Sequence, residues 1–151
     1  MKKINILFFI IFFSGCSNVT NVYDKTFKDE IVTCPDISSP KSTSELIINS
    51  ENNIESYIGF RGISKKCFVK KNEITMYLTV NVRSIRKVYK NDDYIPIKIF
   101  LVSVDENGKE YDRNNINFKM FLKSGSKIVD RETDMKIYVP KNGVSYIGLF
   151  D

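Results

Sequence analysis

The sequence predicts an all-β domain, an antiparallel immunoglobulin-like β-sandwich of about seven short strands, with a small closed β-barrel as the alternative. Three observations carry this prediction. Apolar and polar residues alternate repeatedly in the second half of the chain, with the period of two that sends successive strand side chains to opposite faces. Turn signals punctuate the alternating runs at short intervals. No long amphipathic helical pattern accompanies them.

Taken in order, Asp36 to Ser44 is rich in Ser, Pro and Lys and reads as a loop. Glu45 to Asn49, carrying Leu46-Ile47-Ile48, is a short strand or a helical turn, too brief for periodicity to separate the two. Tyr57 to Ser64 and Cys67 to Lys70 make two strands. Ile74, Met76, Leu78, Val80 and Val82 alternate with Thr75, Tyr77, Thr79, Asn81 and Arg83, so the first set meets a core and the second meets solvent. Ile95 to Val104 is apolar on both faces apart from Lys98 and Ser103, as a central strand would be, and Pro96 is confined to its beginning. Asp105-Glu106-Asn107-Gly108-Lys109 supplies a hairpin, with Asn107-Gly108 suited to a type I′ turn. Ile116, Phe118, Met120 and Leu122 alternate again, as do Met135, Ile137 and Val139 up to Pro140. Asn142-Gly143 then turns the chain into Val144 to Phe150.

The N-terminus has a different character. Lys2 and Lys3 precede Ile4 to Phe13, which is apolar except for Asn5. Such a run of about ten residues has the length of a signal-peptide core. As a helix it would reach only about 15 Å, half of a bilayer's ~30 Å hydrocarbon layer. Phe13-Ser14-Gly15-Cys16 resembles the lipobox of bacterial lipoproteins, with Phe13 where leucine is usual. That resemblance implies cleavage between Gly15 and Cys16 and acylation of Cys16, palmitate included. At about 0.8 kcal/mol per buried methylene, several chains make such attachment effectively permanent. Ser17, rather than aspartate, at the second mature position then implies the outer membrane. An ordinary cleaved signal with a coincidental cysteine is the alternative. The organisation expected is therefore a signal peptide over 1–15, a flexible tether over 16–33, and one sandwich domain over 34–151 with its edge at Cys34-Pro35.

Composition bounds the function. Losing Lys2 and Lys3 with the signal lowers the formal charge from +5 to +3, so the high pI carries little weight. Of three cysteines, Cys34 and Cys67 remain once Cys16 is acylated, and an exported pair usually bonds. Closing that loop would destabilise the unfolded chain by about 3–4 kcal/mol on the chain-entropy model. Its role would be structural, since the close spacing of a redox motif is missing; two free thiols are the alternative.

The chain contains no histidine, which removes the commonest general base, the Ser-His-Asp and Cys-His sites, and the usual zinc ligand. Asp130, Glu132 and Asp134 are the best carboxylate candidates: their spacing puts all three on one strand face, where they could bind calcium or share a proton. The plainer reading is a solvated strand edge neutralised by Lys127, Arg131 and Lys136. No metal or cofactor is expected. Basic residues gather at Lys65-Lys66, Lys70-Lys71, and Arg83, Arg86, Lys87 and Lys90, without any nucleic-acid-binding signature. Anionic lipid headgroups or an acidic polymer are conceivable ligands, and solvated loops the plainer reading. Tyr94, Phe100 and Val102 lie on the second face of the Ile95–Val104 strand, and Phe121 is the odd apolar residue on its neighbour's polar face. Together they are a candidate partner patch unless the Cys34–Asn49 segment covers them.

Cys16, Cys34-Pro35 and Cys67, followed by strands to the C-terminus, resemble a group of small, uncharacterised alphaproteobacterial lipoproteins. No activity is implied by that resemblance. The expected function is that of a non-enzymatic envelope lipoprotein facing the periplasm, membrane-anchored through Cys16 and binding another envelope protein or assembly. The alternatives are a binding module for calcium, lipid or an envelope polymer, and a small hydrolase acting through carboxylates.

Overall fold

The computed structural model describes residues 30–150. The expected signal segment over 1–15, the expected acylation site Cys16 and the rest of residues 16–29 of the expected tether lie outside the described residues. Strand accounts for 70% of the chain and helix for 3%, in two sheets that do not close, so the molecule is an all-β sandwich and not a barrel. Among the described residues no helix is long and apolar enough to cross a membrane.

The strands are β1 (Glu30–Val32), β2 (Ile37–Ser38), β3 (Glu45–Asn49), β4 (Glu55–Lys70), β5 (Glu73–Arg86), β6 (Asp93–Val104), β7 (Glu110–Leu122), β8 (Ile128–Pro140) and β9 (Val144–Phe150), with one short helix, α1 (Lys41–Ser44). The first sheet runs β1-β4-β5-β8, with β3 also paired to β4; the second runs β2-β9-β6-β7. The hairpin of β4 and β5 crosses to the hairpin of β6 and β7, returns to β8, and crosses again to β9. This is the Greek-key path of immunoglobulin-like sandwiches.

Between the sheets lie the residues that the alternation of β5, β7 and β8 assigned to a core, together with residues of β9 and of β6, which is fully buried on one face and not on both as expected. Met76, Leu78, Val80 and Val82 of β5 face Ile95, Ile97, Ile99 and Leu101 of β6, joined by Met120, Leu122, Ile137, Val139 and Ile147, all buried. Along the seam between β7 and β8, Asn114 Nδ2 donates to the Lys136 carbonyl at 2.8 Å and the Tyr138 N–H donates to Asp112 Oδ2 at 2.9 Å. Side chains of one sheet thus satisfy edge backbone groups of the other, which would otherwise be open to a foreign strand.

The structure departs from the expectation at five further points. Nine strands form among the described residues, not about seven, because the segment from Glu30 to Asn49 supplies three short ones. One of these, β2, pairs parallel with β9, the single exception to the antiparallel pattern among the described pairings. Strand pairing is present upstream of Cys34: β1, in the last part of the expected tether, pairs with Cys67, Phe68 and Val69 of β4. The two strands expected over residues 57–70 are a single strand, β4. Arg61 is an extra residue between the pairs Phe60–Val82 and Gly62–Asn81, so inward side chains fall at Ser56, Ile58 and Phe60 before the bulge and at Ile63 and Cys67 after it. Finally, the β6–β7 hairpin is not type I′. Gly108 N donates to the Asp105 carbonyl, Asp105 N donates to the Lys109 carbonyl, and Gly108 alone takes a positive φ, of 77°. That is a type I turn followed by a glycine bulge, fastened by Asp105 Oδ1, which accepts from the N–H groups of Asn107 and Lys109.

Candidate functional site

Cys34 and Cys67 are joined in a disulfide with Cα atoms 5.2 Å apart. The bond fixes the chain just beyond β1 to the buried face of β4. From there the strand–helix strap crosses to the second sheet, and Lys65 Nζ donates to the Pro35 carbonyl at 3.0 Å to hold its start.

The three acids of β8 do share the outer face of the first sheet, and each meets a donor directly opposite on β5. Arg83 donates through Nε and Nη2 to the two oxygens of Asp130, both at 2.7 Å. Thr79 Oγ1 donates to Asp134 at 2.7 Å, and Asn81 Nδ2 to Glu132 at 3.4 Å. The hydrogen bonds from Arg83 hold the Asp130 carboxyl below its ordinary value, and the same contact raises the guanidinium. Residues two apart on a strand are separated by about 6.6 Å, whereas one calcium ion needs all its oxygens within about 2.6 Å. The row is therefore a polar ladder between two strands, and among the described residues no group of three such ligands converges. Of the expected neutralising cations, Arg131 points the other way, over the Phe118 ring at 5.0 Å. Lys136 lies over the rings of Tyr138 at 4.5 Å and Tyr77 at 5.7 Å, and its hydrogen bond to the Tyr138 hydroxyl raises its pKa.

The expected partner patch divides. Tyr94 and Phe121 are cross-strand neighbours with ring centroids 5.2 Å apart, and both remain exposed. Phe100 lies six residues along β6, about 20 Å away. Its ring packs over Gly148, where a Cβ would also meet Thr43 Oγ1 of α1 at 2.7 Å, so the strap comes down beside Phe100. Phe100 and Val102 are half-buried. The Cys34–Asn49 segment thus covers one end of the patch and leaves the other open.

A second apolar feature became visible only once the strands were in register. Ile47 of β3 stands opposite Tyr57 of β4, Tyr57 opposite Ile85 of β5, and Ile85 opposite Ile128 of β8. All four point outward, with exposures of 57, 46, 37 and 50%. They form one unbroken row across the first sheet, about 14 Å long at three strand spacings. Lys87 borders it, lying 6.0 Å from the Tyr57 ring centroid and paired to Glu55. The one local signal for this row was Ile85, an apolar residue continuing the polar side of the β5 alternation. A cleft of about 370 Å³ opens beside its β3 end, lined by Ile47, Ile48, Asn49, Pro96, Lys98 and Phe150.

No protein-family model matches the chain, and neither a curated protein nor a solved structure matches it. The protein is thus an all-β sandwich carrying one disulfide, with exposed apolar side chains on both outer sheet faces.

Proposed function

We propose that the chain is a lipid-anchored, non-enzymatic protein of a bacterial envelope that works by binding another envelope protein, with the row Ile47, Tyr57, Ile85 and Ile128 at the centre of its interface. The row is the observation that carries this reading. Isolated apolar side chains are ordinary on a protein surface, but four in cross-strand contact offer a continuous dry strip rimmed by charge. Anchorage is supported by the Ser14-Gly15-Cys16 sequence after the apolar run. A binding role rather than a chemical one is supported by how the reactive groups are used. The acids of β8 answer donors on β5, and Cys34 and Cys67 are bonded to each other.

The test is in-cell crosslinking of the tagged protein, with mass spectrometry of whatever co-purifies and of the N-terminal peptide. A dominant envelope partner, lost in Ile85→Lys and Tyr57→Glu while Phe121→Lys retains it, is the expected result. Bulk envelope proteins alone, captured equally by all variants, would refute the partner reading; an unacylated Cys16 would refute the anchor.

A further inference from the structure

We infer that the end of the sandwich built from the β5–β6 and β7–β8 loops is a docking tip for an anionic phospholipid surface. Two observations meet there. The first is composition. Lys87, Val88, Tyr89 and Lys90 are consecutive and exposed in the β5–β6 loop, with Val88 and Tyr89 at 48 and 43% exposure. Lys123 and Lys127 bracket the β7–β8 loop beside them. Among the described residues Lys90, Lys123 and Lys127 have no ion-pair partner, and Lys87 has Glu55. Of the acids at this end, Asp93 is buried, accepting from the Ser50 hydroxyl, and Asp92 is exposed with Oδ1 accepting from the Ser124 N–H at 2.6 Å, while Glu55 pairs with Lys87 and Glu51 with Lys119. The tip thus presents an aliphatic and an aromatic side chain among four lysines, which outnumber the solvent-accessible carboxylates beside them, Asp92 and the Lys87-paired Glu55. That is the chemistry of a headgroup interface, where tyrosine sits at the polar boundary and lysines meet phosphate.

The second observation is that the two loops are built as one unit. Arg86 is 1% exposed, and its guanidinium donates to the carbonyls of Ser126 and Asn91, each at 2.9 Å, and to that of Lys123. Gly125 N donates to the Tyr89 carbonyl at 2.7 Å, and Ser124 Oγ to that of Lys90 at 2.5 Å. A buried arginine committed to loop carbonyls holds the apolar pair and the lysines in a fixed arrangement. A polyanionic polymer would satisfy the lysines but gives no role to Val88 and Tyr89, so the lipid surface accounts for more of the geometry.

This inference does not rest on the partner proposed above, and it is tested with no other protein present. The chain contains no tryptophan, so Tyr89→Trp is a single fluorescent reporter at the tip and Tyr111→Trp a reporter at the opposite end. Each full-length variant is placed with vesicles of phosphatidylglycerol and phosphatidylcholine in equal parts, or of phosphatidylcholine alone, and flotation verifies association. The expected result is a blue shift and quenching by brominated lipid for Tyr89→Trp on the anionic vesicles only. Tyr111→Trp should show neither. The shift should be lost when Lys90, Lys123 and Lys127 are changed to Glu, and it should weaken with added salt in the unaltered lysine background. Tyr89→Trp emission that stays solvent-like while the protein floats with anionic vesicles would overturn the inference. So would equal quenching on neutral vesicles, or a shift that no salt concentration diminishes.

Discussion

Replacing Arg86 by methionine keeps the length of the side chain and removes its donors. Three hydrogen bonds from a charged group to carbonyls contribute about 1.5–3 kcal/mol each. Against that stands the several kcal/mol that dehydrating a guanidinium costs, which the variant no longer bears. The carbonyls of Asn91, Lys123 and Ser126 lie in end loops, where water can reach part of what methionine leaves unmet. The balance is a loss of about 3–5 kcal/mol, set by carbonyls left without a donor at about 1–3 kcal/mol each, less what water recovers. At roughly 3–5 °C per kcal/mol for a domain of this size, Tm should fall by about 10–20 °C. Urea denaturation gives the free energy, and amide exchange gives its location, since the Gly125 N–H bonded to the Tyr89 carbonyl should lose protection first. Arg86→Lys should recover less than half of the loss, because one ammonium cannot reach three carbonyls set in a fork. A methionine variant within about 1 kcal/mol of the parent, with the Gly125 amide still protected, would show that the guanidinium does not brace these loops.

The disulfide spans a separation of 33 residues, so reduction, or Cys34→Ser with Cys67→Ser, should lower stability by about 3–4 kcal/mol. Urea midpoints with and without reductant check this. Gly148→Ala sets a methyl group against the Phe100 ring and Thr43 and should cost about 1–3 kcal/mol, read as a fall in Tm. Asp130 and Glu110 have folded pKa values held below their ordinary 3.8 and 4.5 by Arg83 and Arg113. Their contribution is present above those ordinary values and is lost as pH falls through the lower folded ones. Lys87, Lys119 and Lys136 are raised above 10.5, so theirs is present below that value and lost as pH climbs through the folded ones. With no histidine, Tm should be flat between about pH 5 and 8, which a calorimetric pH series would reveal. Millimolar calcium should leave Tm unchanged, since the β8 acids already answer β5 donors; a rise that the Asp130, Glu132 and Asp134 amides abolish would reverse that reading.

What the sequence made legible was local. The alternation of β5, β7 and β8 made the class of fold and the core residues of those three strands legible, because a period of two survives wherever one face is buried against a second sheet. The β6 strand, apolar along both faces, did not reveal which one turns inward. The alternation failed at β4, where the Arg61 bulge moves the inward positions from even to odd numbers and makes one long strand read as two. The pairing of Cys34 with Cys67 was legible by counting. The row Ile47, Tyr57, Ile85 and Ile128 was not, since its four members come from four strands and adjoin only through registers spanning 81 residues of chain. The brace was hidden for a similar reason. Arg86 stood in a run of basic residues, and nothing in the sequence singled out the one that turns inward.

The position of the disulfide also decides how the domain carries a mechanical load. A pull applied at the N-terminus meets first the three residue pairs of β1 with β4, and then Cys34. From there tension passes through the sulfur atoms to Cys67 and leaves along β4, bypassing residues 35–66 altogether. Three of the four shortest described elements lie inside that bypass: β2 with two residues, α1 with four and β3 with five. An anchored domain dragged by its tether would thus lose at most a short edge strand before a covalent bond took the strain. Reduced, the same pull would strip the strap from β9 and then unzip β3, baring the apolar edge of the sandwich.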